Sequence, residues 1–185
     1  MTDEEYMQMA IDEARKCRGE DSRVHPKVGA VAVLKSGEVI TAHRGELGDG
    51  EHAEFTILER KAKDKNFVGA TIYTTLEPCT HRNHPKVPCA DRLVERKVGR
   101  VVIGMLDPNP IIQGKGQSRL RDANIDIATF PAPLASEVED LNREFRRDQQ
   151  KKRRIENARC GSLQDDPIAI IGHLVSLNQS DLLEP

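Results

Sequence analysis

GATIYTTL at residues 69–76, VGRVVIGML at 98–106 and IDIATF at 125–130 are three apolar runs rich in β-branched residues. Their length and composition, with Gly or Asn at their starts, mark them as buried strands rather than helices. A loop from Glu77 to Pro88 and a helical stretch from about Cys89 to Lys97 separate the first two runs. The loop DPNPIIQGKG and a short helix around 117–123 separate the second from the third. Strand, helix, strand, helix, strand is the pattern of a mostly parallel sheet covered by helices. Upstream, VHPKVGAVAVLKSGEVITAH at 24–43 carries two β-rich runs about the turn Lys35-Ser36-Gly37, which predicts a hairpin. The fold expected is a three-layer α/β/α sandwich, with a five-stranded mixed sheet and helices on both faces.

Outward from that centre, Thr2 with Glu5 fits a capping box. Met7, Ala10, Ile11 and Ala14 then recur at helical spacing, predicting a helix from Thr2 to about Cys17. A glycine-rich loop at 45–50 leads into a helix that starts near His52 and ends before Val68. From about Ala135 the chain is helical again, with Val138, Leu141 and Phe145 as its apolar stripe. Residues 143–159 hold eight Lys or Arg against three Asp or Glu, whereas 160–185 hold four acids and no Lys or Arg. The apolar run at 168–177 is too short for a bilayer and is expected to dock on this chain or on a partner. The organisation expected is a domain at 1–150, then an appendage at 151–185 made of a basic helix end and an apolar, acidic tail.

Composition narrows the function classes. The 185 residues are 37% hydrophobic with a formal net charge of -2, so neither disorder nor a globally basic nucleic-acid binder is indicated. The N-terminus, MTDEEYMQMA, lacks the basic and apolar regions of a signal peptide. A cytoplasmic protein without membrane spans is expected. Four cysteines are too few to staple a scaffold of this size, and in a reducing compartment they read as core residues, metal ligands or nucleophiles.

Three groups carry chemistry: His52-Ala53-Glu54, Pro78-Cys79 and Pro88-Cys89. Taken singly, each favours a bland reading, since His-x-Glu is common and cytosolic cysteines are mostly reduced core residues. Taken together they supply one imidazole and two thiols, each at a junction between elements, where ends of an α/β sheet gather ligands. Zinc takes such a set, and a catalytic site leaves the fourth position to water; a purely structural zinc is the alternative. A helix start at Cys89 favours its thiolate. Glu54, two residues past His52, points elsewhere on the helix and reaches a metal-bound water without ligating. Zinc lowers that water's pKa toward about 7, and a neighbouring carboxylate can move its proton to a ring nitrogen and then to departing ammonia. That is hydrolytic deamination of an amino-heterocycle.

HAE, followed by PC and a second Cys, resembles the zinc-dependent cytidine-deaminase superfamily, whose general signature is H-x-E with P-C-x-x-C. Here nine residues, not two, separate Cys79 from Cys89. That spacing, TTLEPCTH at 74–81 and VVIGMLDPNPIIQGKGQSRLRDANIDI at 101–127 resemble the deaminase domain of riboflavin biosynthesis, over about residues 2–150. The resemblance implies zinc on His52, Cys79 and Cys89, with Glu54 as proton shuttle. It implies a small aminopyrimidine nucleotide as substrate, touched by His81 and, at its ribose-phosphate end, by Asp107 and Asn109. It also points to His25, which stands where the family usually has Asn, and to His43, near a substrate-contacting His. Within the intercysteine loop it offers Arg82 or Lys86 as the cation for phosphate. The family's bacterial members commonly continue into a reductase domain, for which 151–185 is too short. Other readings keep the fold: deamination of another nucleotide or of a base in nucleic acid, or a non-catalytic binding module. The basic segment at 143–159 lends nucleic acid some support, but without interleaved aromatics a solvated helix face is favoured. The apolar tail and the family habit make a homo-oligomer the expected assembly.

Overall fold

Thr2 opens the first helix. Its hydroxyl accepts the Glu5 N–H, and the Glu5 carboxylate accepts the Thr2 N–H, completing the predicted capping box of α1 (Asp3–Arg15). The computed structural model describes residues 1–164 apart from His84 and Ile111, with side chains as far as Asn157. The tail at 168–177 and the Cys160 side chain lie outside the described residues. The chain divides into two units, Met1–Arg146 and Arg147–Pro185. In the second, the side chains of 151–157 are exposed.

β1 (Gly29–Val33) and β2 (Val39–His43) form the expected hairpin. Its turn closes with the Gly37 N–H on the Leu34 carbonyl, and Gly37 has φ +87°, a conformation glycine adopts without penalty. α2 (Ala53–Phe55) passes directly into a π-helical stretch, Thr56–Lys61, then turns. The helix thus ends well before the expected limit near Val68. The Ala62 N–H reaches back to the Ile57 carbonyl, and the turns that follow carry Phe67 into the core at 1% exposure. β3 (Thr71–Leu76), α3 (Cys89–Glu95), β4 (Arg100–Met105), α4 (Lys115–Asp122) and β5 (Asp126–Thr129) come next in the predicted alternation. α5 (Ala132–Leu141) and α6 (Arg143–Gln164) replace the single helix expected from about Ala135. Asn142 separates them, its buried side chain bonded to both the N–H and the carbonyl of Lys27.

The sheet order is β2-β1-β3-β4-β5, with β1 antiparallel to both neighbours and β3, β4 and β5 parallel. This is the mixed five-stranded sheet expected, and helices cover both faces. Residues directly opposite one another share a face. Val31 and Tyr73 therefore face α1, where the Tyr73 and Tyr6 rings meet at 5.3 Å. Ala30 and Thr74 face the other way, toward α2. Strands covered on both sides read as continuous apolar runs, and β3 and β4 are buried nearly throughout, whereas the edge strand β5 is half-exposed. Among the described residues no helix is long and apolar enough to cross a membrane.

α1 seats on the hairpin through two contacts. A Cβ on Gly29 would lie 2.0 Å from the Ala10 carbonyl oxygen and 2.4 Å from the Ala14 nitrogen, so only glycine admits the helix there. Nearby, the Glu13 carboxylate accepts hydrogen bonds from Thr41 and Lys16 and meets the His43 ring at 3.1 Å. Gly29→Ala should cost about 1–3 kcal/mol, the range for overpacking. Gly19→Ala, with open space around its Cβ, should stay within about 0.5 kcal/mol. Chemical denaturation of both variants checks this, and equal midpoints would contradict the packing.

Burial alone would raise the Glu13 pKa, but the hydrogen bonds from Lys16, Thr41 and His43 outweigh it and hold the carboxyl below its ordinary 4.5. A carboxyl depressed in the fold stabilises it above the unfolded pKa and loses that contribution as pH falls through the folded one. The stability gap between wild type and Glu13→Gln should therefore be full above about pH 4.5 and close on further acidification. A gap that is constant from pH 7 to 3 would show that the charge plays no part.

Candidate metal centre and active site

Because β1 is antiparallel to both β2 and β3, strands β2, β3 and β4 all run in one direction. The segments leaving their carboxyl ends meet at one end of the sheet, where α/β folds place ligands. His52 lies on the segment after β2, as N-cap of α2; Cys79 follows β3; Cys89 opens α3; Asp107 follows β4. Sequence positions 52, 79 and 89 thus become neighbours.

His52 Nδ1 lies 3.5 Å from Cys79 Sγ and 3.5 Å from Cys89 Sγ, and the three donor atoms are all within 4.8 Å of one another. For a tetrahedral zinc with Zn–S near 2.3 Å and Zn–N near 2.05 Å, sulfur and nitrogen sit about 3.5 Å apart. The donor set fits zinc in both chemistry and spacing, and it presents Nδ1 rather than Nε2. Both thiols are buried. The first N–H groups of α3 serve Cys79 rather than Cys89, contrary to the expectation from sequence: the Cys89 N–H donates to Cys79 Sγ at 3.4 Å, and the Ala90 N–H to the Cys79 carbonyl. The Cys79 thiol is pulled down to about 4, by the hydrogen bond with Cys89 and, against burial, by His52. The Cys89 thiol is pushed up by the same contact and by burial.

Glu54 is 3% exposed beside this group. Burial raises its pKa, and the Cys79 charge adds to the rise while His52 opposes it. Thr74 Oγ1 lies 3.1 Å from Glu54 Oε1 and 3.1 Å from the Leu76 carbonyl. A hydroxyl has one proton to give. With Leu76 as its acceptor, Thr74 receives a hydrogen bond from a protonated Glu54; with an ionised Glu54, it donates to the carboxylate. Rotation of the Thr74 hydroxyl alone accommodates both protonation states.

The structure brings Asp107 to the same end of the sheet. It is 7% exposed, its Oδ1 accepts the Asn109 N–H at 2.8 Å, and burial pushes its pKa up to about 6, helped by the charges of Glu77 and Cys79. Asn109 is half-buried, and its carbonyl closes the turn by accepting from Ile112 and Gln113. His81 and Lys86 are exposed. Of the two cations offered by the intercysteine loop, Arg82 is the half-buried one: it donates to the Gly50 carbonyl at 2.8 Å, and its charge favours the Cys89 thiolate. His25 is held by Asp21 and Arg44 and lines a 410 Å³ cleft against Asn142 and Phe145. His43 pairs with Gly29, so its ring lies on the α1 face, beside Glu13, whereas Glu54 contacts the opposite face through Thr74.

Two carboxylates at the site were not singled out by motif. Glu77 is 3% exposed and accepts three main-chain N–H groups. Its signal in the sequence was an acid at the end of a buried apolar strand, two residues before Cys79. Glu20 forms a buried pair with Arg44 and accepts the Gly50 N–H, fixing the segment that precedes His52. No sequence signal marks that pair.

Residues 1–105 match the family described as the cytidine and deoxycytidylate deaminase zinc-binding region. The chain is 37% identical over 143 residues to the riboflavin biosynthesis protein RibD of Aquifex aeolicus, covering 77% of this chain and 38% of that protein. It is 38% identical over 127 residues to the diaminohydroxyphosphoribosylamino-pyrimidine deaminase of Schizosaccharomyces pombe, covering 67% and 31%. The solved structure of Acinetobacter baumannii RibD superposes with a TM-score of 0.65 at 33% identity, over 80% of this chain and 39% of that one. The chain therefore spans about a third to two-fifths of the length of the relatives it matches. With a matching fold, a donor set that fits zinc and a family match over more than half its length, the chain belongs to the zinc-dependent cytidine and deoxycytidylate deaminase family.

Proposed function

We propose that this chain is a hydrolytic deaminase that releases ammonia from an aminopyrimidine nucleotide, the phosphoribosylated diaminopyrimidinone of riboflavin biosynthesis. The observation that carries the reading is the convergence of His52 Nδ1, Cys79 Sγ and Cys89 Sγ within 4.8 Å, with a buried carboxyl, Glu54, beside them. A merely structural metal has no use for a buried acid at its flank. The names of the relatives support the substrate class.

In this reading His52, Cys79 and Cys89 would hold a zinc, which when bound would supply a Lewis acid and an acidified water. Glu54 takes the proton from the attacking water and delivers it to a ring nitrogen as the amino-bearing carbon becomes tetrahedral. The same carboxyl then carries the remaining proton of the added hydroxyl to the amino group, the C–N bond breaks to release ammonia, and the ring keeps the oxygen as a carbonyl. Thr74 holds the Glu54 carboxyl in place through both states. Asp107 and Asn109, in a turn fixed by its own main-chain bonds, present hydrogen-bonding groups to the ribose-phosphate end. Arg82 is the cation nearest the site for the phosphate. His25, His81 and Lys86 are assigned the outer substrate contacts that the resemblance implies, whereas His43, on the opposite face of the sheet beside Glu13, is not. The deaminase domain runs over 1–150, with 151–185 as an appendage, and the setting is cytoplasmic, with a homo-oligomer as the assembly.

Zinc-loaded protein should release ammonia from the phosphoribosyl diaminopyrimidinone. Glu54→Gln should keep its zinc and lose about 10²–10⁴-fold in kcat, the range for a general acid–base group. A coupled ammonia assay with metal analysis decides it, and full activity in Glu54→Gln would remove that residue from the proton relay. Separately, Cys89→Ser should lose stoichiometric zinc and unfold at a lower temperature, since metal bound only by the fold stabilises it. Undiminished zinc in that variant would exclude Cys89 as a ligand.

A further inference from the structure

Glu77 lies two residues before Cys79, and its carboxylate joins three stretches of chain. Oε2 accepts the N–H of Asp107 at 3.1 Å and of Gly114 at 2.9 Å, and Oε1 accepts that of Gln117 at 3.0 Å. Among the described residues no cationic side chain pairs with it. An acid buried to 3% exposure without a counter-charge is costly unless main-chain donors surround it, and here they do. The two Glu77 oxygens can only accept, whereas the NH₂ of a glutamine would confront N–H groups. Just beyond, α4 lies directly on the Pro78 carbonyl, where a Cβ on Gly116 would come within 2.1 Å. Asp107 accepts the Asn109 N–H in turn, so a continuous set of bonds runs from the strand end that carries Cys79 to the turn that carries Asp107 and Asn109.

We infer that Glu77 is a positioning residue, a main-chain clasp that fixes the Asp107–Pro110 turn and the start of α4 against the metal-bearing strand end, and so sets substrate affinity. The inference rests on the proposed function insofar as Asp107 is read as a substrate contact. Glu77 touches neither metal nor reacting atoms, so its removal should show in KM rather than in kcat.

In the zinc-loaded full chain, Glu77→Gln should retain stoichiometric zinc and kcat within about threefold, with KM for the phosphoribosyl diaminopyrimidinone at least about tenfold higher. Asp107→Ala should raise KM similarly, and the double variant should be no worse than the poorer single one, because both act through one turn. Amide hydrogen exchange gives a readout independent of substrate. The Asp107, Gly114 and Gln117 amides should exchange slowly in the wild type and quicken together in Glu77→Gln. Unprotected amides in the wild type, or an unmoved KM in a Glu77→Gln protein that binds zinc, would overturn the inference. A KM unmoved only in Asp107→Ala would instead sink the reading of Asp107 as a contact, leaving the exchange to judge Glu77. Absence of turnover in the wild type would sink the proposed function and leave the same exchange test standing. Should Glu77→Gln not fold, Gln117→Pro, which removes one donor within the first turn of α4 where proline is tolerated, should still raise KM and speed exchange at Asp107 and Gly114; no change in either would reject the clasp.

Discussion

The parallel pairing of β3 with β4 is the constraint on which the site depends. The ladder runs in register to Leu76 and Met105, and the Glu77 N–H extends it by one bond to the Met105 carbonyl. The two strands therefore release their chains side by side, one toward Cys79 and the other toward Asp107. A slip in this register would carry Glu77 away from the Asp107 N–H. The helices then act as brackets: α2, capped by His52, brings Glu54 down onto Thr74, and α3 aims its first N–H groups at Cys79.

Much of this was legible in the sequence because the signals were redundant. Residues 69–76 and 98–106 read as buried strands from their unbroken apolar character, which is what burial on both faces produces. Thr2 and Glu5 specify a helix start by themselves, and Ser36-Gly37 specifies the hairpin turn. The group of His52, Cys79 and Cys89 was readable only as a combination, one imidazole and two thiols each at a junction between elements, and the fold then brings the imidazole to 3.5 Å from both sulfurs.

The rest was not readable, for physical reasons specific to each residue. The face on which His43 lies depends on its pairing with Gly29, and register is a property of two strands, not of one run of letters. The helix after His52 was overextended because the sequence from Thr56 to Asn66 has helical character, while the burial of Phe67 demands a turn before it. Glu77 is visible in the sequence only as an acid at the end of an apolar strand. Its importance comes from donors 30 to 40 residues away, and main-chain donors leave no mark in a sequence.

The charges at this end of the sheet explain why these features occur together. Glu54, Glu77, Asp107, Cys79 and Cys89 are all buried, and among the described residues the half-buried Arg82 is a cation that acts on this group. Burial is the first cause that pushes up the Glu54 and Asp107 carboxyls, and the contact with Cys79 the first for the Cys89 thiol; the neighbouring negative charges add to each rise. Glu77 is set apart by its three N–H donors, which stabilise a negative charge without adding a positive one that would compete for the thiolates. A divalent cation on His52, Cys79 and Cys89 would relieve the repulsion among the remaining groups. The fold thus concentrates acceptors around one position and leaves the balancing charge to the metal. Glu54, buried beside that position and held by Thr74, is the carboxyl that α2 brings to it.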